Sequence, residues 1–95
     1  MRLKKIFTVL MALVLSITAV SQQHKLTDKG NQAFEKGYWS AAIENYKLAL
    51  KKEKDSEIKL GIMYNLAQSY AGAKEYKNSV TWFKKVRTKG KLYLK

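Results

Sequence analysis

A shift of 37 positions lays the later half of this chain onto the earlier half. Trp39 falls on Tyr76, Ala42 on Ser79, Ile43 on Val80, Tyr46 on Phe83 and Ala49 on Val86, while Gly30 falls on Ala67. Small residues recur where helices must approach closely, and aromatic residues recur where a gap must be filled. Amphipathicity alone does not demand that. A sequence of this kind folds as two like units stacked on each other, each burying a face it cannot bury alone.

The units are helical. From Gln22 to Lys36, Leu26, Ala33 and Phe34 stand among polar residues, and Gly37-Tyr38 makes a tight break. Trp39, Ala42, Ile43, Tyr46, Ala49 and Leu50 then recur at helical spacing, with Glu44, Asn45, Lys47 and Lys51 on the other faces. The charged run from Lys51 to Asp55 reads as a helix end and turn, with Asp55 or Ser56 as the next cap and Glu57 in the first turn. Ile58, Ile62, Met63, Leu66, Ala67 and Tyr70 mark a third helix, and Tyr76, Val80, Phe83 and Val86 an apolar stripe on a fourth that starts near Glu75. Gly90 is the expected stop. No stretch alternates as a strand does. The expected fold class is all-α, four antiparallel helices joined by short turns, with a generic four-helix bundle as the other arrangement.

At these positions the sequence resembles the tetratricopeptide repeat family. Gly30, Ala42, Tyr46 and Ala49 match the packing positions of one unit, and Ala67, Tyr70, Ser79, Phe83 and Val86 those of a second. The wording from Lys29 to Gly37 and the approach Asn65-Leu66-Ala67 are typical of the family. The resemblance implies helix-turn-helix units over residues 22–56 and 57–90, stacked as a right-handed superhelix, with 91–95 opening a third pair or forming a tail. The 37-residue spacing exceeds the family's usual 34, and Lys54 stands near the place of its usual proline. The resemblance also implies a concave groove, lined by the first helix of each pair, that takes a peptide or a partner protein. Its residues here are Thr27, Asp28, Asn31, Phe34 and Glu35, then Tyr64, Asn65, Gln68 and Ala71. Asn31 and Asn65 match two positions of the family's carboxylate clamp, but Thr27 stands where the clamp has a lysine.

A targeting segment precedes the repeats. Basic residues from Arg2 to Lys5, an apolar stretch from Ile6 to Val20, and Ala19 and Ser21 before Gln22 give the three-part layout of a secretory signal peptide over residues 1–21. As a retained anchor, fifteen residues would span roughly 22 Å of an apolar layer about 30 Å thick. Removing 21 of the 95 residues leaves 74, and with three leader cations gone the net charge falls from +12 to +9. Together, leader and lysine-rich repeats are similar to the N-terminal parts of Gram-negative envelope proteins, which implies export to the periplasm or outer envelope.

Little here suggests catalysis. The chain has no Cys and one His, His24, so thiol chemistry and a two-His metal site within one chain are excluded. No Gly-rich phosphate loop occurs. The expectation is a non-enzymatic chain without metal or cofactor. Trp39, Tyr46, Tyr70, Tyr76 and Phe83 are expected in the core, whereas Trp82 is either an interface anchor beside Lys84 and Lys85 or packed against a following helix. Lysine clusters at 47–54 and 84–95 leave a second functional reading open, a charge-driven binder of anionic envelope polymer or membrane surface. Nucleic acid is not an expected partner, whereas self-association or further repeat units through the C-terminal face are.

Overall fold

The computed structural model describes residues 25–93, and the side chains of residues 25–91. All regular structure among them is helical. Residues 25–35 form α1, and α2 (Trp39–Lys52), α3 (Ser56–Gly72) and α4 (Tyr76–Tyr93) follow. The proposed leader and His24 lie outside the described residues. None of the described helices is long and apolar enough to cross a membrane.

The two hairpin turns are the same turn made twice. After α1, Gly37 N–H donates to the Phe34 carbonyl (3.0 Å) and Tyr38 N–H to that of Ala33 (2.8 Å). After α3, Lys74 N–H donates to Ala71 (3.0 Å) and Glu75 N–H to Tyr70 (2.9 Å), each 37 residues further on. This paired bonding is the Schellman motif, which satisfies orphan carbonyls at a helix end and needs a left-handed residue at its centre. Gly37 takes that conformation at φ 74°, and Lys74 takes it at φ 64°. Glycine adopts it freely; lysine has to be forced into it.

The link from α2 to α3 is different. Glu53 and Asp55 are extended, and the Asp55 carboxylate accepts from the N–H groups of Glu57 (2.9 Å) and Ile58 (3.1 Å), capping α3 as its sequence suggests. The first three residues of α3, Ser56 to Ile58, are exposed, so the sequence stripe through Ile58 starts one turn early.

α3 is the central element and packs against both α2 and α4. Ile62, Leu66 and Tyr70 join Ala33 of α1 and Ala42, Tyr46 and Ala49 of α2 in one cluster, on which Leu26, Phe34, Ile43, Leu50 and Trp82 pack. Burial on two sides requires a helix apolar nearly all round, and α3 has only Glu57 and Lys59 charged. Two close approaches fix the stacking. A Cβ on Gly30 would lie 2.6 Å from the Tyr46 ring, and one on Gly72 would lie 2.6 Å from the Trp39 ring. Trp39 thus ties the start of α2 to the end of α3, so the two run antiparallel. In the second unit, Ser79 is buried and its Oγ donates to the Ala67 carbonyl (2.9 Å), which is why a hydroxyl is accepted where the first unit has Ala42.

Three sequence expectations fail at α4. The helix does not stop at Gly90 but runs on to Tyr93, so residues 91–93 extend it instead of opening a third pair. Tyr76, expected in the core, is 63% exposed, and Val80 on the same stripe is 50% exposed. Phe83 is only half-buried, whereas its counterpart Tyr46 is 1% exposed. The second finding has its cause in cover, whereas Phe83 differs from Tyr46 in meeting the Tyr64 ring of α3 where Tyr46 closes onto Gly30 of α1. Periodicity assigns a residue to a face, but another element must cover that face, and α3 covers α2 while the described residues offer nothing equivalent to α4.

Candidate functional site

Two surfaces come into question, the groove expected along α1 and α3 and the outer face of α4. On α1, Asp28 and Glu35 are exposed, and Thr27, Asn31 and Phe34 are half-buried. Asn31 is held in place: its Oδ1 accepts the hydroxyl hydrogen bond of Tyr46, fifteen residues away on α2. Burial and the neighbouring Glu35 carboxylate push the Tyr46 phenol up from its ordinary 10.0, since both disfavour a phenolate. Phe34 meets Trp39 edge to face, ring centres 5.2 Å apart at 80°. Asn31 and Phe34 therefore help to hold α1 on α2. Sequence periodicity contains no signal for the Asn31–Tyr46 bond, because its partners lie on different helices.

On α3, Asn65, Gln68 and Ala71 are half-buried and Tyr64 is 46% exposed. The main-chain carbonyl of Asn65 accepts from Ser69 Oγ (2.8 Å), a bond internal to the helix. Tyr64 turns toward α4, where its ring meets Phe83 edge to face at 5.6 Å and 68°. The candidate groove thus divides: its α1 members join α2 aromatics, and Tyr64 joins α4. Asp28 and Glu35 are left as its exposed polar groups, and Gln68 is half-buried.

Trp82 is no free anchor. It packs on the central cluster from α4, with the Lys85 ammonium 4.3 Å above its ring. Tyr76 and Tyr64, by contrast, are exposed. Val80, Phe83, Lys84 and Arg87 line an open depression. Tyr76, Val80, Phe83 and Arg87 share one helix face by their spacing, with Lys84 one turn from Val80. Arg87 stands where the first unit has Leu50, and this exchange was the one sequence signal that α4 ends in a different surface.

The whole of α4 is cationic. It holds Lys77, Lys84, Lys85, Arg87, Lys89 and Lys91 and no Asp or Glu. Cations in its last turns suit the helix dipole, but Lys77 sits in the first turn, where they do not. Among the described residues, no group of three His, Cys, Asp or Glu side chains is placed to hold a metal ion, and no buried side-chain N or O lacks a hydrogen-bond partner. No known protein family matches the chain, and neither does any curated protein or solved structure.

Proposed function

We propose that this chain is an exported protein–protein interaction module of the tetratricopeptide-repeat type, a scaffold that binds a peptide or partner protein along α1 and α3. The observation that carries this reading is the recurrence, 37 residues apart, of the same Schellman turn at Gly37 and Lys74. Tyr46 over Gly30 and Ser79 on Ala67 support it as matched small-residue approaches. The leader supplies export to the periplasm or outer envelope of a Gram-negative cell. No catalytic step or cofactor enters the proposal.

Site-specific photocrosslinking in the native host tests it. A photoreactive side chain at Asp28 or Gln68 should capture one discrete protein that the same group at Leu48, on the outer side of α2, does not. Equal capture at all three positions would count against the groove. Cell fractionation with N-terminal sequencing tests export, with a chain beginning at Gln22 as the expected product.

The acid-free α4 favours a second reading, attraction to anionic polymer or membrane surface through charge alone. Salt separates the two. Groove binding should persist at ~0.5 M salt, where exposed charge attraction is largely screened.

A further inference from the structure

We propose that the outer face of α4 docks one helix of an acidic partner, seated on α4 in the register that α3 takes on α2. This inference concerns a surface apart from the α1–α3 groove and stands without it.

The template lies within the molecule. On α2, the Trp39 ring lies against Gly72, and the Lys47 ammonium stands 5.7 Å from the centre of the Tyr70 ring. The counterparts of Trp39 and Lys47 are Tyr76 and Lys84, again 37 residues on. Both are exposed. The half-interface that α2 presents to α3 is therefore repeated on α4 with its occupant missing from the described residues. A helix that fills it places a small residue beneath Tyr76 near its own C-terminal end, and an aromatic residue two positions earlier, beside Lys84.

Charge names the partner's chemistry. Along this face the first turns are apolar, through Tyr76, Val80 and Phe83, and the later turns are cationic, through Lys84, Arg87 and Lys91. A second copy applied α4 to α4 would bring six cations against six with no acid between them. An antiparallel occupant instead lays its N-terminal half along Arg87 and Lys91. Acidic residues belong there twice over, opposite the cations and at the positive end of their own helix dipole. An amphipathic helix with an acidic first half and an apolar, small-residue second half satisfies the whole face.

The test uses the full chain and a synthetic probe cut from its own α3. The acidic probe is the segment 55–72 carrying Ile58→Glu and Lys59→Glu; the basic control carries Glu57→Lys and Ile58→Lys. Fluorescence anisotropy should find the acidic probe bound, and the basic control at least about tenfold weaker. Val80→Asp and, separately, Tyr76→Asp should abolish binding of the acidic probe while circular dichroism stays unchanged, because both side chains are exposed. Absence of acidic-probe binding, or equal binding of the two probes, overturns the proposal. So does binding that survives both variants, which would mean that the probe had displaced α3 from α2. Sedimentation in which Val80→Asp converts an oligomer to a monomer would assign the face to a second copy. Loss, in the same variant, of flotation with vesicles of equal phosphatidylcholine and phosphatidylglycerol would assign it to a membrane; either result overturns the acidic-helix proposal.

Discussion

α2 and α4 carry the same pattern of residues and end in opposite circumstances. Tyr46 on α2 is 1% exposed, wedged against Gly30 and bonded to Asn31. Phe83, its counterpart on α4, is half-buried, and its ring meets that of Tyr64 edge to face. Burial is thus a property of the pair and not of the helix. The same apolar stripe makes a core where a neighbour lies on it and stays open to solvent where none does.

The sharpest way to break this comparison is truncation at the matched aromatic positions. Tyr46→Ala should cost about 3–5 kcal/mol, the range for emptying a large aromatic site. Phe83→Ala should cost less than half of that, because its site is partly open to water already. Urea unfolding of both variants measures the difference, and equal losses would mean that α4 is covered after all.

Close approaches sharpen it next. Gly72→Val drives a side chain into the Trp39 ring and should cost about 1–3 kcal/mol. Gly61→Ala meets nothing within 4 Å and should instead stabilise α3 by about 0.5–1 kcal/mol, as glycine is a poor helix former. Thermal melts of the two variants should move in opposite directions.

Tyr46→Phe removes one hydrogen bond and should cost about 1 kcal/mol near neutral pH. The native phenol titrates above the unfolded value of 10.0, so the folded state holds that proton more tightly than the unfolded chain does. The stability linked to it is complete below pH 10 and is lost as pH rises through the raised value. Melting temperatures taken from pH 9 to pH 11 should accordingly fall more steeply for the native chain than for Tyr46→Phe.

The smallest effects belong to the two turns, where the units differ by one residue. Gly37→Ala should cost about 1 kcal/mol, and Lys74→Gly should return about 0.5–1 kcal/mol by relieving a left-handed lysine. A gain at Lys74 paired with a loss at Gly37 would mark the two turns as one design.

Much of this was legible in the sequence. Gly30, Ala42, Tyr46 and Ala49 announced the α1–α2 contact, Gly37 its turn, and Asp55 the α3 cap. Lys74 hid the second turn, since nothing in a lysine signals left-handed backbone and only the 37-residue shift points to it. Gly90 misled because glycine ends a helix only where the backbone turns left-handed. Here it stays helical, with the side chain of Leu60 3.9 Å from where its Cβ would stand. The candidate groove was a set of positions read from the sequence, and the side chains at several of them are not free. Asn31 and Phe34 are engaged by Tyr46 and Trp39 through tertiary contacts that local spacing does not encode.

Hydroxyl-radical footprinting of the full chain tests the central contrast most directly, because Tyr46 and Tyr76 share a ring chemistry and differ only in cover. Tyr76, 63% exposed, should oxidise many times faster than Tyr46, 1% exposed, and should slow toward it once the acidic helix is bound. Equal rates at the two tyrosines in the free chain would contradict a filled α2 and an open α4.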